Sequence, residues 1–146
     1  MAWFDDFAVG QTFSTAGLTV SEAAILDFAL VYDPQPMHLD APAATAGPFG
    51  GLIASGFQTL SLSFSLFFRL GIVSESNLGS PGLDELRWKR PLRPGDTIRV
   101  VADVVAIKPS TSKPDRGVVT MRHDTFNQND ELILSVTGMH MLRRRP

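Results

Sequence analysis

The sequence predicts a single α+β domain with one antiparallel sheet, and three observations support this prediction. The chain has 146 residues and 44% hydrophobic content, which suits one domain that buries roughly two-thirds of its unfolded surface. Helix-type apolar spacing is confined to the first half of the chain, whereas alternating segments rich in valine and isoleucine fill the second half. Neither an internal repeat nor a linker divides the sequence, so residues 1–146 are expected to form one unit.

Composition narrows the function classes before any motif is considered. The net charge is −2 and the pI is about 5.8, so no overall basic field favours nucleic acid or an anionic membrane surface. The absence of cysteine excludes disulfides, thiolate metal sites and cysteine nucleophiles. The first residues include Asp5 and Asp6 where a signal peptide would carry positive charge, and no apolar run has the length of a membrane span. We therefore expect a soluble, cytoplasmic protein.

The first elements are a strand and a short helix. A strand is expected around Gln11–Leu18. Either Thr19 or Ser21 can then cap the first N–H groups of a helix. An apolar stripe with three- and four-residue spacing follows, and its members are Ala24, Ile25, Phe28 and Val31. The helix is expected to end at Asp33, since the next residue is a proline.

The segment after this helix holds the best candidates for chemistry. Asp33 and His38 lie five residues apart, and Pro34 and Pro36 are expected to keep the intervening backbone in a stiff, non-helical loop. A carboxylate and an imidazole that converge on one water can hold it and share its protons. Aspartate before proline is also common in turns, and a lone histidine more often packs than catalyses, so both interpretations stay open at this point.

The middle of the chain contains one helix and one ambiguous segment. Ala41–Ala46 is rich in alanine and is expected to be helical, until Gly47–Gly51 breaks the pattern. In Leu52–Leu70, alternation over Leu60–Leu66 favours a strand. The length of the run and its single charge at Arg69 suit a buried helix instead, and the residues alone favour the helix only slightly.

Four strands are predicted in the second half, separated by turn residues. They are Asp84–Lys89, Asp96–Ile107, Val118–Asn127 and Leu132–Met141, with an exposed hairpin loop at Lys108–Gly117. His123 and His140 fall in these strands without acidic or histidine partners at metal-ligand spacing, so packing is favoured over metal binding. Asp40 and His38 are too few ligands to predict a metal site.

Two basic clusters allow two interpretations each. The first cluster comprises Arg87, Lys89, Arg90 and Arg93. It is interpreted first as a solvated sheet edge and second as a site that binds the phosphate groups of a ligand. Arg143–Arg145 is interpreted mainly as a solvated tail, with phosphate binding as the alternative.

Three segments in order resemble one known family. They are residues 33–40 (DPQPMHLD), residues 47–56 (GPFGGLIASG), and Leu86-Arg87-Trp88 with residues 91–96 (PLRPGD). Together they look like the MaoC-like dehydratases, the (R)-specific enoyl-CoA hydratase group, and the likeness covers nearly the whole chain. The resemblance implies a hot-dog fold, in which an antiparallel sheet wraps a long central helix that begins near Gly56. It also implies a homodimer or dimer-based assembly with the acyl site near the interface.

The same resemblance implies a reaction and a set of site residues. The substrate would be a trans-2-enoyl thioester of coenzyme A or of an acyl-carrier protein, as in fatty acid metabolism, and no cofactor is required. Asp33 and His38 would hold the attacking water, and the backbone N–H of Gly56 would stabilise negative charge on the thioester oxygen. Gln35, Ser55 and Phe57 are the further candidates for substrate binding.

The chain departs from the family pattern at three places, and two other functions stay open. Gln35 stands where the family usually has asparagine, Tyr32 where glycine is frequent, and Phe64 where some hydratases carry a serine. The first alternative function is a non-catalytic subunit that binds acyl thioesters. The second is a hot-dog thioesterase, which is disfavoured because residues 56–70 contain no aspartate or glutamate.

Overall fold

The fold, described for residues 1–146 by a computed structural model, combines a six-stranded antiparallel sheet with four α-helices. The helices are α1 (Glu22–Tyr32), α2 (Pro36–Leu39), α3 (Ala41–Ala46) and α4 (Gly56–Phe68), after a 3-10 turn at Phe4–Asp6. The strands are β1 (Thr12–Ser14), β2 (Leu18–Thr19), β3 (Leu83–Trp88), β4 (Thr97–Pro109), β5 (Arg116–Phe126) and β6 (Leu132–Arg143). The strand order is β1-β4-β5-β6-β3, and β2 also pairs with β4.

The four strands predicted in the second half are present as β3 to β6. The structure differs from the prediction in the hairpin loop after β4 and in the N-terminal strand that pairs with β4. β4 runs to Pro109 and β5 starts at Arg116, so the hairpin loop is shorter than predicted. The single strand expected at Gln11–Leu18 is instead two short strands that both pair with β4. Between them, the Thr15 side chain accepts a hydrogen bond from the Val100 N–H, which interrupts regular pairing where the chain crosses β4.

Helix α1 has the predicted ends but a narrower buried face. The Ser21 hydroxyl accepts a hydrogen bond from the Ala24 N–H, and the helix ends at Asp33. Ile25 and Ala29 are buried, whereas Ala24 and Val31 are exposed, so the predicted four-residue stripe is wrong at both ends. A helix that packs against the core through a narrow strip of its surface buries side chains four residues apart, because these lie one above the other on the same side of the helix.

The segment that carries His38 is helical, which corrects the expectation of a loop. Pro36 is the first residue of α2, and His38 is the third. A proline at the first helical position loses nothing by lacking an N–H, because that group has no partner inside a helix, and its fixed φ suits the turn. The prolines therefore separate α1 from α2 without excluding a helical turn.

The ambiguous middle segment is the helix α4, which packs against β4 and β5 of the sheet. Its buried residues include Ser63, Leu66 and Phe67. The Ser63 hydroxyl lies 2.7 Å from the Thr125 hydroxyl of β5, so this small side chain lets the helix approach the sheet closely. Ser61, two residues earlier, is exposed, so only part of the serine alternation faces the sheet.

The C-terminal arginines are not a free tail. Arg144 forms an ion pair with Asp5, and the Arg145 guanidinium donates to Asp6 at 2.6 Å. Hydrogen bonds from the Trp3 N–H and from Arg145 lower the pKa of Asp6. The tail is thus fixed against the N-terminal 3-10 turn, which corrects the interpretation of a solvated tail.

None of the helices has the length and apolar character needed to cross a membrane.

Candidate active site

Asp33 and His38 lie together, at the end of α1 and within α2. The His38 Nε2 atom is 3.4 Å from Asp33 Oδ2, and the two side chains are 5% and 12% exposed. The break at Pro34 allows the chain to turn back between the two helices, so residues five apart in sequence face each other. This is the convergence that the sequence predicted.

A backbone contact fixes the orientation of the His38 ring. Its Nδ1 atom lies 2.7 Å from the Ile53 carbonyl oxygen, which can only accept a hydrogen bond, so Nδ1 carries the proton. In the neutral ring, Nε2 then presents a lone pair toward Asp33. The facing Nε2 and carboxylate are two acceptors, and one water can donate a hydrogen bond to each of them.

Two donors hold the Asp33 carboxylate in its charged form. The Ser55 hydroxyl donates to Oδ2 at 2.7 Å, and the Gln35 amide donates to Oδ1 at 2.6 Å. These hydrogen bonds, that of Ser55 first, lower the pKa of Asp33. Ser55 is fully buried and also accepts from the Phe57 N–H as the cap of α4. Ser55 and Gln35 therefore contact the carboxylate directly.

Gly56 is the first residue of α4 and packs against the indole of Trp88. Its N–H has no acceptor within the helix, and its carbonyl accepts a hydrogen bond from Trp88 Nε1 at 2.9 Å. A Cβ atom on Gly56 would lie 2.6 Å from the indole ring. The glycine is therefore required by this close approach, and Trp88 bonds to the peptide that follows the one carrying the free N–H.

Trp88 and Thr59 also line the site, and the sequence did not predict them as site residues. Trp88 ends β3, and only the fold brings it to the N-terminus of α4. Trp88 belongs to one of the segments that carry the family resemblance, which gave it no role. Its alternation with Leu86 indicates that the two side chains share a face without saying what that face meets.

Phe57 is the predicted site residue that lies outside this cleft. Its side chain is 58% exposed, and it borders a separate surface hollow with Phe28, Tyr32 and Ser61. Its ring meets the edge of Trp88 with 6.4 Å between the centroids. Phe57 follows Gly56 in α4, and because a helix turns by about 100° per residue its side chain points away from the cleft that Gly56 lines.

The cleft has a volume of about 420 Å³ and is lined by the other predicted site residues except Ser55. Ser55 is fully buried and reaches the site through its hydrogen bond to Asp33. Asp33 and His38 lie on one side, and Gly56 and Trp88 on the other. The remaining lining residues are Gln35, Phe49, Ile53, Ala54, Thr59, Lys89, Arg90, Pro91 and Leu92. The Arg93 guanidinium donates to the Phe49 carbonyl at 2.6 Å. This hydrogen bond holds the loop Gly47–Gly51 beside the cleft, which Phe49 lines.

A second cavity, of about 390 Å³, lies near the other end of α4 and is lined by one histidine, His140. Phe64 and Phe68 line it from the helix, and Leu83, Gly138 and His140 from the sheet. His123 and His140 are buried with their Nε2 atoms 3.0 Å apart, so each does have a histidine partner, contrary to the sequence interpretation. In the pairing of β5 with β6, His123 opposes Val136 and His140 opposes Val119. The two rings therefore meet diagonally across the sheet, which spacing along the chain does not reveal.

Burial keeps this histidine pair neutral. Desolvation lowers the pKa of His123 to about 3 and that of His140 to about 4. Phe64 packs on His123 with 4.8 Å between the ring centroids. No group of three or more histidine, cysteine or carboxylate side chains is placed to hold a metal ion. The packing interpretation of both histidines agrees with these contacts.

Comparison with known proteins supports one family and one fold. The family model described as MaoC like domain matches residues 6–127. The crystal structure of the MaoC-like dehydratase from Rhodospirillum rubrum is 41% identical, with a TM-score of 0.88, and covers 100% of this chain and 99% of that one.

Two further proteins bear on the fold and on relatives with a stated activity. A Mycobacterium tuberculosis protein with a double hot-dog fold is 24% identical, with a TM-score of 0.83 over 99% of this chain and 45% of that one. This likeness and the observed sheet and helix confirm the predicted hot-dog fold. Mesaconyl-CoA hydratase of Cereibacter sphaeroides is 30% identical over 98% of this chain, which spans 41% of that protein.

Proposed function

The chain belongs to the MaoC-like domain family, and we propose that it adds water to a trans-2-enoyl thioester of coenzyme A, or removes water in the reverse direction. The geometry of Asp33 and His38 carries this proposal: a charged carboxylate faces an oriented imidazole nitrogen at 3.4 Å. Hydratase relatives such as mesaconyl-CoA hydratase support the reaction class.

The proposed reaction needs only groups that line the cleft. A water held between Asp33 Oδ2 and His38 Nε2 gives up one proton to this pair, and its oxygen forms a bond to the β-carbon of the enoyl group. The electron pair of the double bond moves toward the thioester oxygen, where the Gly56 N–H stabilises the enolate. The α-carbon then takes a proton from the same pair, so that atoms and charge balance. The two groups act as one coupled unit.

Thioester hydrolysis is the weaker proposal for this cleft. The resemblance associates hot-dog thioesterases with a carboxylate on or near the central helix, and α4 (Gly56–Phe68) has none. The contacts at Asp33 also disfavour a non-catalytic binding role, because Ser55 and Gln35 keep charged a carboxylate that binding alone would not need. We therefore propose catalysis by the Asp33–His38 pair over both alternatives.

We also propose a homodimer formed through the free edge of the sheet. β3 is an edge strand, and its backbone pairs only with β6. Leu83 of β3 is 41% exposed and Phe68 of α4 is 44% exposed. A second copy that pairs along β3 would cover both the edge and these side chains. Light scattering should give twice the chain mass, and Leu83→Lys should lower it to one chain mass.

The proposed activity is tested by the loss of enoyl-thioester absorbance with trans-2-enoyl-CoAs of short, long and branched chains. Wild-type protein should consume at least one of them, and Asp33→Asn should lower kcat by about a hundredfold or more. Asp27→Asn is the matched control, because Asp27 is an exposed carboxylate on α1. Equal turnover by Asp33→Asn and wild type would contradict the proposal.

A further inference from the structure

An irregularity in β3 decides which of its side chains face the helix α4. Asp84 of β3 lies opposite Thr137 of β6. The next pair along the two strands is Arg87 with Ser135. Between these pairs the chain advances three residues on β3 and two on β6, so β3 contains a β-bulge with one extra residue. Because side chains alternate between the two faces of a strand, one extra residue exchanges the faces of all the residues that follow it.

Glu85 lies in the bulge, and its backbone is in the left-handed region. Its φ is +54°, a conformation that glycine adopts freely and that is unfavourable for a residue with a side chain. Asp130 is the other non-glycine residue with a positive φ, but it lies between β5 and β6, whereas Glu85 lies within a strand. The Glu85 side chain is exposed. The backbone conformation of Glu85, rather than its carboxylate, therefore shapes β3.

The bulge turns Trp88 toward α4. Leu83, which precedes the bulge, lines the second cavity together with residues of α4. Trp88, which follows it, donates to the Gly56 carbonyl at the start of the same helix. These two residues are five positions apart, an odd number, so in a regular strand they would face opposite sides. Without the extra residue, Arg87 would face α4 and Trp88 would face away from it.

On the basis of the proposed function, we propose that Glu85 is a positioning residue for the oxyanion donor. Its left-handed backbone directs Trp88 to Gly56, where the indole donates to the carbonyl at 2.9 Å and packs too closely to leave room for a Cβ atom. These two contacts hold the residue whose N–H stabilises the enolate in the proposed reaction. Glu85 does not line the cleft, so it acts through Trp88.

Deletion of Glu85 removes the extra residue and tests this role directly, because Trp88 should then face away from α4. The two tryptophans, Trp3 and Trp88, give two indole N–H signals in an NMR spectrum. Protection of the Trp88 signal from hydrogen exchange should fall about tenfold or more. The kcat for a short-chain enoyl-CoA should fall by about a hundredfold, as for the loss of one oxyanion donor. Deletion of Ser112, in the exposed loop between β4 and β5, is the matched control.

Two substitutions separate the backbone conformation from the chain length and from the carboxylate. Glu85→Gly keeps the bulge and relieves its strain, so this conservative variant should raise the melting temperature by about 3 °C and retain the indole protection and kcat. Glu85→Val keeps the chain length, but a β-branched side chain disfavours a positive φ, so the melting temperature and the Trp88 protection should both fall. If the deletion variant does not fold, these two substitutions decide: equal protection in both would overturn the inference.

A double-variant comparison tests whether Glu85 acts through Trp88. Trp88→Ala should lower kcat in the wild-type background and should lower it no further in the deletion variant, where the indole has already left Gly56. Additive losses of kcat would overturn the inference, as would wild-type protection of the Trp88 indole in the deletion variant, or a loss of protection with unchanged kcat.

Hydrogen exchange at the Trp88 indole needs no substrate, which separates this inference from the proposed function. If wild-type protein turns over no enoyl-CoA, the proposed function fails and the exchange measurement still decides the inference. Protection that is lost on deletion of Glu85 and retained in Glu85→Gly supports the inference. Equal protection in wild type and in the deletion variant overturns it.

Discussion

The two buried histidine sites at opposite ends of α4 differ in what surrounds the imidazole nitrogens. In the cleft, His38 has a carbonyl on one nitrogen and a charged carboxylate facing the other. Beside the second cavity, His123 and His140 bond to each other, and His123 Nδ1 has no partner. Burial is similar in both places, so it is the neighbouring carboxylate that marks a candidate for proton chemistry and its absence that marks packing.

Replacing His38 should have the largest effect on kcat, and it tests the difference between the two histidine sites. In His38→Asn, the side-chain amide can still donate to the Ile53 carbonyl, while the nitrogen that faces Asp33 is lost. We expect kcat with a short-chain enoyl-CoA to fall by about a hundredfold or more, with thioester affinity nearly unchanged. His123→Leu should leave kcat near the wild-type value. Similar losses of kcat in His38→Asn and His123→Leu would show that the carboxylate beside His38 does not set the two histidine sites apart.

Gly56→Ala should have the next largest effect, because its Cβ would overlap the Trp88 ring at 2.6 Å. Displacement of the helix start should lower kcat by about a hundredfold, the typical cost of one lost oxyanion donor. Gly51→Ala is the control, since its nearest contact would be an ordinary 3.7 Å. Adding Trp88→Ala to Gly56→Ala should restore part of the lost melting temperature. Strictly additive losses would contradict the proposed overlap.

Ser55→Ala tests the electrostatics of the cleft. The variant loses the main hydrogen bond that lowers the pKa of Asp33, so this pKa should rise. A base that protonates at higher pH moves the acid limb of the kcat/KM profile to higher pH. Loss of the helix cap should also cost about 1 kcal/mol of the free energy of unfolding. Ser61→Ala, on the exposed face of α4, should leave the pH profile unchanged.

The histidine pair should make stability, not catalysis, depend on pH. Unfolded histidines take up protons near pH 6.5, whereas the folded pair does so only at about 4 and about 3. Stability present above pH 6.5 is therefore lost as the pH falls, by on the order of 1 kcal/mol per pH unit for each histidine. Urea unfolding between pH 6.5 and 5 measures this slope. The double variant His123→Leu, His140→Leu should flatten it, and an unchanged slope would contradict this origin.

Local sequence signals predicted the parts of the fold that depend on neighbours along the chain. The cap at Ser21 and the stop at Asp33 follow from hydrogen bonding and proline sterics within a few residues, and both are observed. The helical turn at Pro36 was missed because proline was interpreted only as a helix breaker. The state of α4 was decided by the family resemblance, since contacts with the sheet, such as Ser63 with Thr125, override the period of the pattern.

From the residues alone, the candidate site was predictable only where its groups are close in sequence, and Ser55 and Gly56 were identified through the family resemblance. Asp33 and His38 were identified from their spacing, whereas the hydrogen bond from Trp88 to Gly56 joins residues 32 apart. The pairing of His123 with His140 depends on the register of β5 and β6. Tertiary register is set by the packing of whole strands, and no short motif encodes it.

The pairing of β1 with β4 also sets an order of events in folding. Thr12 pairs with Asp103, and the threonine hydroxyl donates to its carboxylate across 91 positions of sequence. The entropy lost in closing so long a loop precedes any gain from the contacts. β1 therefore joins the sheet late, after β4 has formed, and until then β4 presents a bare edge to other unfolded chains. A nascent chain must emerge well past residue 103 before its first strand has a place to dock.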